Sequence, residues 1–154
     1  MGNLDVQFTG LTPSLPYEDA GAALDWLVRV CGFVERARYV DKDGIVRQGE
    51  AYCGSNEVFV SGHGPGHWQK LGHEPELWLS VWVDNVDAQH ARVTAAGVTA
   101  PAPKDMGWGV RTFSIRDPEG YHWSFMKRLE RGYVQERSLE QGGLREILAP
   151  GARR

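Results

Sequence analysis

The chain has 154 residues, 42% of them hydrophobic, and a formal charge of -3 at pH 7, which allows one domain with a real core and not two of ordinary size. It carries no long basic run to attract nucleic acid or acidic lipid, and no apolar run near the ~20 residues that span a bilayer, so neither is an expected partner. The opening MGNLDVQFTG lacks a leader's basic and apolar pattern; a cytoplasmic protein is expected, with Cys31 and Cys53 as buried thiols rather than a disulfide.

In chain order, Leu11 to Tyr17 reads as extended. Asp19 to Gly32 follows as a helix: Ala23, Leu24, Leu27, Val28 and Cys31 recur at helical spacing, Asp19 caps the start and Gly32 closes the end. Three strand-like runs come next, Val34 to Val40, Val46 to Tyr52 and Glu57 to Ser61, separated by the turn sequences DKDG and CGSN. Residues 62–76, rich in Gly, Pro and His, read as a linker. The plan then repeats. Leu77 to Val83 is extended, and Asn85 to Gly97 is a helix with Asn85 as cap and Asp87 in its first turn. Val98 to Ala100, Val110 to Arg116 and Tyr121 to Met126 are strand-like, the last two joined by DPEG. From Lys127 the chain turns charged, with a short amphipathic helix expected around Leu139 to Leu148.

The order βαβββ therefore occurs twice. Asp19 and Asn85 lie 66 residues apart, and Gly32 and Gly97 lie 65 apart, a nearly constant offset that a duplicated module produces and scattered helices do not. The expected fold class is α+β: one domain over 1–127, with modules about 11–61 and 77–127, and a charged extension over 128–154.

Three segments, PYEDAGAALDWLVRVCGF, LWLSVWVDNVDAQHARVTAAG and WGVRTFSIRDPEGYHWSF, resemble the vicinal-oxygen-chelate superfamily in its glyoxalase and bleomycin-resistance branch. The resemblance implies curved sheets around a ligand cavity, and a homodimer. In the family's metalloenzymes His and Glu at equivalent strand positions hold a divalent ion. Those positions fall here on Thr12, Trp78 and Ser124, with the fourth between Val58 and Val60 and its nearest carboxylates at Glu57 and Glu50. Thr12, Trp78 and Ser124 are not competent primary ligands, so no metal and no cofactor are expected.

Strand alternation puts Trp78, Ser80 and Trp82 on the cavity side and leaves Leu77, Leu79, Val81 and Val83 for the helices. By the same count His122, Ser124 and Met126 share the cavity face, with Tyr121, Trp123 and Phe125 behind. Trp108, in the MGWG turn, is expected over the cavity mouth, and Arg111 is a polar anchor whose face the pattern leaves open. The expected ligand-binding set is therefore Trp78, Ser80, Trp82, Trp108, Arg111, His122 and Ser124, suited to a small, planar, partly aromatic molecule. The alternative for the indoles is that they only fill the sheet interface. His63, His67 and His73 have zinc-like spacing, but the segment has neither a cysteine nor a rigid element. Three functions stay open: a metal-free protein that sequesters or carries such a molecule, in the manner of antibiotic-resistance members; an enzyme, metal-dependent or using His122 and Glu50 as acid and base; and an interaction module with a closed cavity.

Overall fold

The computed structural model describes residues 5–130, 147 and 149–151. They form two compact units whose boundary falls between Pro75 and Glu76. The first contains β1 (Ser14–Tyr17), α1 (Ala20–Trp26) continued by a π turn over Leu27–Cys31, β2 (Val34–Val40), β3 (Val46–Cys53), β4 (Asn56–Gly62) and α2 (His67–Leu71). The second contains β5 (Trp78–Trp82), α3 (Val86–Ala95), β6 (Lys104–Met106), β7 (Val110–Arg116) and β8 (His122–Arg128). Each unit holds one four-stranded sheet, in the orders β1-β4-β3-β2 and β5-β8-β7-β6. In each the first strand pairs in parallel with the last, and the other pairs are antiparallel. The fold is α+β with two open mixed sheets, the vicinal-oxygen-chelate arrangement.

Both helices start as the sequence dictates. The Asp19 carboxylate accepts the Ala22 N–H at 2.9 Å and the Asn85 side chain accepts the Ala88 N–H at 3.0 Å, each satisfying a first-turn donor that has no partner inside its helix. Gly32 stops the first helix in the left-handed conformation, φ 79°, where a side chain would be strained. Leu24, Leu27, Val30 and Cys31 are buried along the first helix. It lies so close to β3 that a Cβ on Gly49 would stand 2.8 Å from Val60 Cγ2 and 2.9 Å from Leu24 Cδ2. On the second sheet, Phe113, Ile115, Trp123 and Phe125 are buried. The His90 ring of α3 meets Phe113 edge-on at 5.1 Å. This fixes which face α3 covers.

The DPEG turn is held by Asp117, which is buried. Its Oδ1 accepts the N–H groups of Glu119, Gly120 and Tyr121, and its Oδ2 accepts the Trp123 indole N–H at 3.1 Å. Burial pushes the neighbouring Tyr121 phenol well above its usual range.

Three expectations need correction. Val98 to Ala100 is not a strand; β6 forms later, at Lys104–Met106, beyond Pro101 and Pro103, neither of which has an N–H to give a ladder. The linker contains a helix, α2, framed by the left-handed glycines Gly66 and Gly72. The last strand runs on to Arg128 rather than ending at Met126. The helix expected over 139–148 lies outside the described residues. Both cysteines are free, Cys31 buried and Cys53 half-buried.

Candidate functional site

In the second sheet α3 takes one face, and register fixes what stands on the other. The parallel pairs Trp78↔His122, Ser80↔Ser124 and Trp82↔Met126 and the antiparallel pairs Thr112↔Met126, Ser114↔Ser124 and Arg116↔His122 share the face away from α3, because paired residues point to the same side. Three rows cross this face. Ser114, Ser124 and Ser80 form the middle one, a floor of small hydroxyls. Trp78 and His122 stand on one side of it, Trp82 and Met126 on the other. The two indoles are four residues apart on β5, roughly 13 Å at ~3.3 Å per residue.

Both indoles are displayed to solvent, Trp78 at 62% and Trp82 at 52% exposure. Each has one face already covered. Trp78 stacks on His122 with centroids 3.9 Å apart and planes 6° from parallel, and the Arg128 guanidinium sits 4.6 Å over the Trp82 ring. These contacts hold the rings in fixed poses and leave the opposite faces for a third group. On the floor, the Ser114 and Ser124 hydroxyls share a hydrogen bond of 2.7 Å. Two hydroxyls joined by one bond still own one O–H to donate and several lone pairs to accept with. The surface thus offers stacking at two stations and hydrogen bonding between them.

Five of the expected ligand-binding residues, Trp78, Ser80, Trp82, His122 and Ser124, stand together on this face. Two do not join them. Arg111 points to the α3 side, where Asp87 and Asp105 bind its guanidinium at 2.7 and 2.9 Å and hold it firmly in its charged form. Trp108 is half exposed in the β6–β7 hairpin, on the edge of the sheet away from β5. Ser114, Arg116 and Arg128 belong to the face and were not singled out; continuing the alternation along β7 and past Met126 would have found them.

In the first sheet Glu50 also stands on the side away from its helix, since its neighbour Gly49 abuts Leu24. Glu50 is 7% exposed, its carboxylate ion-paired to Arg36 and bonded to the Gln48 amide at 3.1 Å. Arg36 also reaches Glu57 at 3.4 Å. Glu50 and His122 belong to different units and carry separate local partners. His63 and His67 lie with rings 4.5 Å apart at the start of α2, whereas His73 bonds to the Glu74 carbonyl.

A model of the Glyoxalase/Bleomycin resistance protein/Dioxygenase superfamily matches residues 11–125. The chain belongs to this superfamily. An uncharacterized protein of Mycobacterium bovis is 30% identical over 143 residues, covering 86% of this chain and 93% of its own. The crystal structure of TioX from Micromonospora sp. ML1 has 32% identity and TM-score 0.65, covering 79% of this chain and 100% of that one. A bleomycin-binding protein crystallised with bleomycin has TM-score 0.60 at 19% identity, covering 77% and 97%, which shows the shared fold alone.

The superfamily's divalent-ion positions can now be placed by register. Ser14↔Phe59 and Ser80↔Ser124 are the equivalent parallel pairs of the two modules, so Phe59 is the counterpart of Ser124 and Thr12 the counterpart of Trp78. That puts the fourth position, left between Val58 and Val60 by the sequence, on Phe59. An indole N–H only donates, a phenyl ring has no lone pair, and a serine hydroxyl already bonded to Ser114 is a poor ligand. Among the described residues no three His, Cys, Asp or Glu side chains are grouped to hold an ion. This donor set does not fit the family's metal.

Proposed function

We propose that this superfamily member is a metal-free binding protein that sequesters or carries a small, planar, partly aromatic molecule. The observation that carries the proposal is the pair of solvent-displayed indoles flanking the Ser114–Ser124–Ser80 floor. A ring laid on either half-open indole removes apolar surface from water, and each indole is already backed on one side by His122 or Arg128. The hydroxyls between them suit the edge of a ring system bearing a carbonyl, hydroxyl or amide. An acid–base enzyme is less well supported. Glu50 is already answered by Arg36 and Gln48, and His122 is committed to its stack. A resistance role, a homodimeric state and a cytoplasmic location belong to this proposal on the strength of the family alone.

The test is calorimetric titration of the purified protein with a panel of planar aromatic compounds of two to four fused rings, alongside metal analysis of the same preparation. Micromolar binding to some of the panel, with the Trp78→Ala/Trp82→Ala double variant folded but weakened, is the expected result. Stoichiometric tightly held divalent metal, or wild-type affinity in the double variant, overturns the proposal.

A further inference from the structure

The face that carries the two indoles also carries charge, and all of it has one sign. Its strand residues include Lys104, paired with Thr112, Arg116, paired with His122, and Arg128, paired with Val110. None of its strand residues is an aspartate or glutamate. Several arginines elsewhere are answered by carboxylates: Arg111 by Asp87 and Asp105, Arg36 by Glu50 and Glu57, Arg38 by Glu35 and Asp25. Among the described residues no carboxylate forms an ion pair with Lys104, Arg116 or Arg128. This cationic rim stands on a chain whose overall charge is -3, so it is a local arrangement and not a by-product of composition.

We infer that the molecule held on this face is anionic: a planar aromatic compound bearing a carboxylate, sulfonate or phenolate. The inference rests on the aromatic-binding proposal above and adds the charge of the ligand. Its ring system lies against Trp78 or Trp82, its anionic group lies toward Arg116 or Lys104, and its polar edge meets the serine floor. Guanidinium and ammonium groups around an apolar surface favour an anion and repel a cation of the same shape. Arg128 takes a smaller part, because it covers the Trp82 ring and borders a cleft that Asp84 and Glu130 also line.

Three probes of one shape separate the possibilities: 2-naphthoate, 2-naphthamide and 2-naphthylmethylammonium, titrated calorimetrically into the full chain at low salt. The expected order is naphthoate, then amide, then ammonium, with roughly tenfold or more between first and last. Raising the salt to about 1 M should weaken naphthoate and spare the amide. In the Lys104→Gln/Arg116→Gln double variant the naphthoate should fall to the level of the amide, while the amide keeps its wild-type affinity. That second readout separates lost charge from lost fold. If the amide and the ammonium bind as well as naphthoate, the aromatic proposal stands and the charge inference is overturned. If none of the three binds, both are.

Discussion

Truncating Trp82 to alanine tests the aromatic face most directly, and the geometry sets the size of the effect. An indole side chain presents roughly 200 Å². With Trp82 52% exposed, about 100 Å² remains for a ligand to cover. A ring lying on the open face covers about half of that, and ~50 Å² at ~25 cal/mol/Å² is about 1.3 kcal/mol. A stacking contribution of about 1 kcal/mol brings the total to about 2 kcal/mol, or roughly 30-fold in Kd. Trp82→Phe keeps a smaller ring and should lose only a few-fold. The fold should survive, since half of the side chain already faces water. The thermal midpoint should drop a few degrees through the lost Arg128 contact. Calorimetric titration with the best compound of the panel reads Kd, and a melt on the same samples reads the fold. Leu71→Ala, an exposed position on α2, is the control that should leave Kd alone. A folded Trp82→Ala protein with wild-type Kd would refute the reasoning.

Asp117→Ala should be far more damaging to the fold: it removes the acceptor of the buried Trp123 indole N–H and of three turn amides. A cost of about 3 kcal/mol, or roughly 6–12 °C for a chain of this size, should appear in a thermal melt, and a loss under about 1 kcal/mol would remove Asp117 from its role. Gly49→Val should prevent stable packing of α1 on β3, since even a Cβ meets Val60 and Leu24 inside 3.0 Å; native-like melting of that variant would show that the helix can shift. Stability should also fall on acidification. Arg111 beside Asp87 and Arg38 beside Glu35 hold those carboxyls below their ordinary ranges, as the Ile45 and Asp43 N–H groups and Arg47 do for Asp41. Groups with depressed folded pKa values contribute stability at neutral pH and lose it as pH drops below about 4 through those values. Urea midpoints between pH 7 and pH 2.5 should show that loss, smaller in Arg111→Gln, and a flat profile would contradict it. Finally, Trp78→His with Ser124→Glu sets one new donor across the strand pair from His122 and another two residues along β8 from it. Micromolar zinc binding by this double variant should follow, and no gain over wild type would mean that these positions are not the equivalents of a metal site.

The strand alternation of β5 and β8 was legible because both are bulge-free and each has one apolar face, so placing Trp78, Ser80, Trp82, His122 and Ser124 needed only a count by twos. Alternation along VRTFSIR sets Arg111 with Phe113 and Ile115, opposite Thr112, Ser114 and Arg116; what the sequence did not show was the capture of its guanidinium by Asp87 and Asp105. Arg36 was hidden for another reason: β2 shifts register between Glu35 and Ala37, and a bulge breaks the alternation that any such count relies on. The helix α2 is five residues between two glycines, too short to show a helical period.

The offset between the modules carried more information than its use as evidence for duplication suggested. It is 66 residues at the helix caps and 65 at the closing glycines, and a discrepancy of one is easily dismissed as slack in the loops. The structure puts it inside the first helix, whose last turn, Leu27–Cys31, is π-helical, whereas α3 has no such turn. A π turn accommodates one extra residue without breaking the helix. The first module therefore has one residue more than the second between cap and glycine, and every equivalence past that point changes by one. The parallel pairs agree, with partners 45 residues apart in Ser14↔Phe59 and 44 apart in Ser80↔Ser124. Carrying 66 unchanged through the helix would have matched Ser124 to Val58, a core residue on the helix side, and the fourth position would have been sought on the wrong face. With the inserted residue counted it falls on Phe59, on the face away from α1, where a phenyl ring stands at the register of Glu50. That one-residue bookkeeping is what makes the replacement of ligand-type side chains by Thr12, Phe59, Trp78 and Ser124 a statement about all four positions rather than three.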